Sequence, residues 1–305
     1  MFDNFKTYVD FIDNEPSKKM QRNFVNCKPF IKWVGGKSSV SDVIMAEFPH
    51  TYKKYHEPFL GGGAIFFAMK FVDIKDNDKT LSVLSDINGE LINTYLIVQK
   101  EPGKVISCLN YLCKLLANCN ILGVDDSVES FYYTIRDVAS GTALYKAVRF
   151  IFLNKTCFNG LYRENKSGLF NSPFGKRKFV FDANAIVSCS SALQYADIAR
   201  LSFADINPCS GDLVYADPPY VKRDDKSFTG FSGSGFALED HIKLANVTKK
   251  WANNNVFVMI SNADTSQTRE IYKDFKIIGI KDVISRVGGS GERRLPTSDV
   301  LIKSW

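Results

Sequence analysis

The stretch Glu57-Pro58-Phe59-Leu60-Gly61-Gly62-Gly63 restricts the fold more than any other. Residues 55–60 read as a short strand. They run into three glycines, and an apolar run through Phe71 then has helical character. A strand that turns through glycine into a helix brings the backbone close to whatever binds there, because no Cβ stands in the way. Residues 80–84 predict a second strand closing on Ser85 and Asp86. The next segment, 88–99, places Leu91, Ile92, Tyr95 and Leu96 at the spacing of one helix face. Strands alternating with helices predict an α/β domain with a mainly parallel sheet.

The alternation stops near residue 101. From there to 148 the pattern is helical and polar-rich, broken by a turn at 123–127. Asn159-Gly160 then opens a stretch rich in Gly, Asn and Lys that ends in Pro173-Phe174-Gly175, which predicts a long hairpin or loop. The α/β rhythm returns with strands at 201–206 and 213–216, a helix at 238–251 and a strand at 256–260. A helix at 266–272 and strands near 275–280 and 299–303 complete it. The architecture expected is an α/β domain split by a long insertion, with residues 1–26 as a polar extension. A chain of 305 residues has room for about two domains at ~150 residues each.

Composition removes several classes. With 45% hydrophobic and 24% charged residues the chain is globular. It has no apolar run near the ~20 residues of a bilayer span. No basic-then-apolar leader opens it, so a cytosolic location is expected. Seven cysteines include no Cys-x-x-Cys pair and lie far in sequence from His50, His56 and His241. Neither a zinc site nor a disulfide framework is expected, and the thiols read as reduced and mostly buried. The net charge of +6 is uneven: residues 154–178 carry six basic side chains against Glu164 alone. Arg286, Arg293 and Arg294 form a second cluster in a Gly-rich loop. Two basic loops suit a phosphate-backbone partner.

Three motifs carry chemistry. The glycine turn lacks the Gly or Ala at 66 of a nicotinamide fingerprint, since Phe66 stands there. Asp86, at the end of the next strand, can accept hydrogen bonds from ribose hydroxyls. Together they indicate an adenosyl ligand without a pyrophosphate. Trp33-Val34-Gly35-Gly36-Lys37-Ser38 looks like a phosphate loop, but Ile31 holds the position a true one gives to Gly. Phe30, Lys32, Trp33 and Lys37 remain as an aromatic and basic cluster. Last, Leu213-Val214-Tyr215-Ala216 is an apolar strand that delivers Asp217-Pro218-Pro219-Tyr220 to its carboxyl end. The prolines fix the backbone there. The Asp217 carboxylate and the Pro218 carbonyl can accept both protons of one amino group, and Tyr220 offers a ring for stacking. Pro208-Cys209 precedes that strand, and Cys209 reads as a loop thiol.

FIKWVGGK at 30–37, EPFLGGG at 57–63, SDIN at 85–88 and ADPPY at 216–220 resemble, in that order, the Dam-like DNA adenine methyltransferases. So do residues 152–175 and 261–272. The resemblance spans roughly 28–305. It implies a Rossmann-like S-adenosylmethionine methyltransferase domain with a mixed, mainly parallel sheet. It also implies an inserted, mainly helical DNA-recognition domain carrying a β-hairpin. The catalytic domain would cover 27–94 and 183–305, and target recognition 95–182.

Carried across, Trp33, Lys37, Phe59, Gly61, Gly63, Asp86, Asp205 and Asp217 would hold the cofactor, S-adenosylmethionine. Asp217, Pro218, Pro219 and Tyr220 would be catalytic. Asn159, Arg163 and Pro173 would enter the major groove, while Lys155, Lys176, Arg177 and Lys178 would meet phosphates. No metal is implied. The partner is double-stranded DNA, with a restriction endonuclease of the same system as a second one. The location is the cytoplasm at the nucleoid, or the host cytoplasm for a phage-encoded chain. The methylated site expected is GATC. The alternatives are a longer site such as GATATC, or the amino group of cytosine, for which Ser is favoured at position 217. Protein glutamine methylation favours Asn there. A catalytically dead DNA binder would have no use for Asp217.

Overall fold

A computed structural model of the protein describes residues 1–16, 27–69, 82–121, 125–165, 167–221, 236–280 and 299–305. Along the chain come α1 (Phe2–Asn14), α2 (Ser41–Ala46), β1 (Tyr55–Glu57), α3 (Ala64–Ala68), β2 (Ser82–Asp86) and α4 (Gly89–Lys100). Four further helices follow: α5 (Pro102–Ile121), α6 (Asp125–Asp137), α7 (Ala143–Thr156) and α8 (Ala183–Leu193). The remainder is β3 (Ala196–Arg200), β4 (Leu213–Ala216), α9 (Leu238–Asn253), β5 (Phe257–Ala263), α10 (Ser266–Ile271), β6 (Lys276–Ile280) and β7 (Asp299–Lys303). None of the described helices is long and apolar enough to cross a membrane. These elements form two compact units. One draws on residues 1–34 and 88–194, the other on 35–69, 195–305 and the strand β2.

The first unit is helical. Its centre is α7, in which Leu144, Val148, Ile151, Phe152 and Leu153 are all buried, as expected of a helix apolar on every face. Arg149 lies on the same helix and is 1% exposed. Its guanidinium donates to the carbonyls of Ile135 (2.9 Å) and Arg136 (2.6 Å), at the end of α6, and to Glu90 Oε1 (2.9 Å). Residues 1–26 were expected to be a polar extension. Instead α1 buries Phe5 and Val9 completely, one turn apart. Phe5 meets Phe131 edge-on at 6.2 Å, and Tyr8 stacks on Tyr111 at 4.1 Å. Two apolar side chains at i and i+4 dock the helix even though the segment is polar on average.

After α7 the chain turns through Phe158–Gly160 and returns as a hairpin held by antiparallel bridges Cys157↔Phe174 and Glu164↔Phe170. Gly175 makes the return path feasible. A Cβ there would sit 2.6 Å from the Cys157 carbonyl oxygen.

The second unit is a sheet with strand order β3-β2-β1-β4-β5-β7-β6 among the described residues. The first five strands pair in parallel, and β7 runs antiparallel to both β5 and β6. This is the mainly parallel α/β fold expected. Val214, Ala216, Val258, Ile260, Val300 and Ile302 pack beneath Trp251 of α9 and Tyr272 to form the core. A buried pair, His56 Nε2 and Asp212 Oδ2 at 2.9 Å, ties β1 to the residue before β4.

Two boundaries differ from the sequence reading. β1 ends at Glu57 rather than at residue 60, because Pro58 has no N–H for the ladder. The strand expected at 201–206 lies at Ala196–Arg200, paired to β2. Residues 202–205 form a turn in which Asp205 N–H donates to the Ser202 carbonyl and Ala204 N–H to the Ser202 hydroxyl. Ser and Asp favour such turns over a strand.

Candidate active site

In an open α/β sheet, ligands bind beyond the carboxyl ends of the strands where the strand order reverses. Here that point lies between β1 and β4, which are neighbours far apart in sequence. Both critical motifs leave the sheet there. From β1 the chain enters the glycine turn, with Gly61 at φ 47° and Gly63 at φ 66°. Side chains avoid this left-handed region and glycine occupies it freely. Gly61 N–H donates to Asp86 Oδ2 at 3.0 Å, and Leu60 N–H to the Ser85 carbonyl at 3.0 Å. The acid at the end of β2 is thereby drawn to the turn.

From β4 the chain enters the proline pair. Neither Pro218 nor Pro219 can extend the ladder, which stops at Ala216 opposite Ile260. Asp217 is gripped on both oxygens. Lys37 Nζ donates to Oδ2 at 2.7 Å, and Ser261 Oγ donates to Oδ1 at 2.8 Å. The Lys37 side chain is 7% exposed. Its ammonium also donates to the Gly35 carbonyl at 2.6 Å and lies 4.8 Å from the Tyr220 ring centroid, a cation–π contact. Tyr220 OH donates to Asp299 Oδ2 at 3.3 Å. Val221 N–H donates to Asn262 Oδ1 at 3.1 Å. Residues 217–221 are therefore fastened to β5 and β7.

Glu57 is the last residue of β1. It is buried, accepting from Tyr55 OH at 2.8 Å and from the Phe66 backbone amide. Burial raises its carboxyl from 4.5 to about 8, and the Asp217 and Asp86 carboxylates push the same way. Those two hydrogen bonds oppose the shift without cancelling it. The folded protein thus holds a proton on Glu57 that the unfolded chain releases above pH 4.5. Stability should fall as pH rises from there to about 8. Glu57→Gln is expected to flatten this slope in urea melts taken across that range. An unchanged slope would show that Glu57 is ionised in the fold.

Phe59 and Phe203 stack at 5.5 Å, and Phe236 meets Phe59 edge-on at 5.7 Å. Behind Phe236 lies the buried ring of His241, 4.7 Å away. Burial lowers His241 to about 4. This aromatic wall stands beside the turn that carries the exposed Asp205.

Of the sequence-nominated residues, the structure brings Lys37 onto Asp217 and over Tyr220, and Gly61 onto Asp86. Trp33 belongs to the helical unit, where it stacks on Tyr162 at 5.6 Å and Phe150 at 6.5 Å. Asn159 takes a left-handed φ of 58° in the hairpin. Asn171 braces Arg163 across that hairpin: Nε donates to Oδ1 at 2.8 Å and Nη2 to the carbonyl at 3.1 Å. The Pro173 carbonyl accepts from Phe158 N–H. Lys176, Arg177 and Lys178 are exposed. Lys155 is half-buried, and burial together with nearby Lys32 pushes its ammonium down. The basic cluster at 286–294 and Lys166 lie outside the described residues. Cys209 is an exposed thiol ahead of β4. Among the described residues no group of three or more His, Cys, Asp or Glu could hold a metal ion.

Ser261, Asn262, Asp299 and Glu57 had no assigned role in the sequence reading. Glu57, Ser261 and Asn262 lie inside motifs that carry the family resemblance, which was the one signal for them.

Residues 33–285 match the family described as D12 class N6 adenine-specific DNA methyltransferases. The chain is 30% identical over 300 residues to the type II methyltransferase M1.LlaDCHI of Lactococcus lactis subsp. cremoris, covering 94% of this chain and 98% of that one. It is 32% identical over 286 residues to the type II methyltransferase M.MjaIII of Methanocaldococcus jannaschii, covering 88% and 95%. To the DNA adenine methylase of Escherichia coli K12 it is 31% identical over 274 residues, covering 87% and 92%.

Proposed function

The chain belongs to the D12 class of N6 adenine-specific DNA methyltransferases, and we propose that it methylates the adenine of a GATC site, with the Asp217 carboxylate and the Pro218 carbonyl accepting hydrogen bonds from the amino group. The observation that carries this is the doubly braced Asp217 carboxylate at the sheet's switch point, beside the glycine turn.

The residues at that point suit S-adenosylmethionine. The positive-φ glycines leave room for a close backbone approach, Asp86 supplies a carboxylate for the ribose, and Phe59 and Phe203 supply faces for the adenine ring, with Asp205 nearby. When bound, that cofactor supplies an electrophilic methyl group. The chain's own work is on the other reactant. Adenine's amino nitrogen is a poor nucleophile because its lone pair is shared with the ring. Hydrogen bonds from its two N–H groups to the Asp217 carboxylate and the Pro218 carbonyl favour a pyramidal nitrogen whose lone pair stands out of the ring plane. These hydrogen bonds strengthen as positive charge builds on the nitrogen, so they act on the transition state. The base must leave the duplex to reach them, and Tyr220 offers the surface on which it stacks.

DNA recognition is assigned to residues 95–182. Arg163, aimed by Asn171, would donate to a guanine in the major groove, which is worth about 1–3 kcal/mol of discrimination. Asn159 and Pro173 shape the same hairpin, and Lys155, Lys176, Arg177 and Lys178 neutralise phosphates. Arg163→Ala is expected to relax selection at one base pair, whereas Lys176→Ala weakens all duplexes alike. Equal losses on cognate and single-substituted duplexes for Arg163→Ala would remove the assignment. The site itself is tested by methyl transfer to duplexes containing GATC, GATATC or neither. Transfer to GATC is expected. Transfer to GATATC alone would keep the chemistry and move the recognition sequence.

A further inference from the structure

In the parallel pair β4–β5, Ala216 lies opposite Ile260. The next residues on the two strands, Asp217 and Ser261, therefore come together at the carboxyl edge of the sheet. Ser261 is fully buried. Its hydroxyl has one proton, and the contact to Asp217 Oδ1 at 2.8 Å uses it. The second contact of that oxygen, 2.8 Å to the phenol of Tyr215, must then be a bond that Tyr215 donates. Tyr215 is also fully buried, and burial holds its phenol far above the ordinary value, so the proton stays in place. The result is a directed chain, Tyr215 to Ser261 to Asp217, ending on the carboxylate oxygen that Lys37 does not hold. A carboxylate anchored through one oxygen turns freely about its Cβ–Cγ bond, whereas one anchored through both has a fixed plane.

Resting on the reading of Asp217 as the acceptor of adenine's amino proton, we propose that Ser261 is a positioning residue for methyl transfer, setting the plane of the Asp217 carboxylate with Tyr215 behind it. A fixed plane matters because misplacing a reacting group by about 1 Å can cost around 10²-fold in rate.

The test is the single-turnover rate of methyl transfer, at saturating cofactor and duplex, for wild type, Ser261→Ala, Ser261→Thr, Tyr215→Phe and Asp217→Asn. Ser261→Ala is expected to lower the rate about 10- to 100-fold, with the dissociation constants for cofactor and DNA unchanged. Ser261→Thr, which keeps the hydroxyl, should recover most of the loss. Tyr215→Phe should show a smaller fall in the same rate, because Ser261 still reaches Asp217. Ser261→Ala at the wild-type rate beside an inactive Asp217→Asn would overturn the proposal and leave the reading of Asp217 standing. Both variants at the wild-type rate would overturn that reading. A threonine variant as slow as the alanine one would also sink the proposal. If thermal melts show Ser261→Ala to be unfolded, Tyr215→Phe decides, and a wild-type rate there counts against it.

Discussion

Asp217→Asn is expected to lower the rate of methyl transfer about 10²–10³-fold, the size of loss seen when a preorganised group that meets developing charge is removed. The amide keeps the shape and one accepting oxygen. It loses the negative charge that answers the positive charge growing on the adenine nitrogen. Cofactor affinity should hold, because the glycine turn and Asp86 are fastened to each other independently of Asp217. Asp217→Ala should be worse on two counts, since it also strands the Lys37 ammonium, which is nearly buried and has Asp217 as its ion-pair partner. Measuring the single-turnover rate and the cofactor dissociation constant together separates the two effects. A loss of cofactor binding with an unchanged rate at saturation would mean that Asp217 serves the cofactor and not the base.

The second large effect concerns stability. Arg149→Ala is expected to destabilise the protein by about 3–5 kcal/mol, the cost of breaking a buried ion pair by removing one partner. Burial already pushes the Glu90 carboxyl up even with Arg149 beside it, so desolvation outweighs the pair's attraction at that site. Without the guanidinium, Glu90, 29% exposed, keeps only the weaker pull of Lys146 against its burial, and the carbonyls of Ile135 and Arg136 at the end of α6 lose their donor. Adding Glu90→Gln to Arg149→Ala should recover part of the loss but not the share owed to those carbonyls. Urea unfolding of the single and double variants measures this. A single variant within 1 kcal/mol of wild type, below the usual cost of a stranded buried charge, would show that water reaches the pocket.

The sheet was largely legible because local signals marked both ends of its strands. β4 lies where the apolar run 213–216 put it, stopped by two prolines that cannot pair. The glycines after β1 and the acid closing β2 likewise announce themselves, since each is a local requirement of the backbone. What escaped depends on partners distant in sequence. Lys37 reaches Asp217 across 180 positions and Ser261 across 44; no spacing rule connects them. Lys37 is a cofactor residue by the family resemblance alone, and no local pattern announces that its ammonium rests on the Asp217 carboxylate. Arg149 carries no local signal of its burial, yet it is enclosed within the helical unit. The turn at 202–205 and the docked α1 show the same limit at shorter range. In the first, Ser and Asp outweigh an apolar alternation; in the second, Phe5 and Val9 outweigh a polar average.

If the braced Asp217 carboxylate serves an amino group of adenine in DNA, the transferred methyl group must end on that nitrogen. The most direct test is to incubate the protein with duplex DNA and isotopically labelled S-adenosylmethionine, digest the DNA to nucleosides, and weigh them by mass spectrometry. Label is expected in N6-methyldeoxyadenosine alone, and none with Asp217→Ala. Label in N4-methylcytosine, or label on adenine that persists in Asp217→Ala, would contradict it.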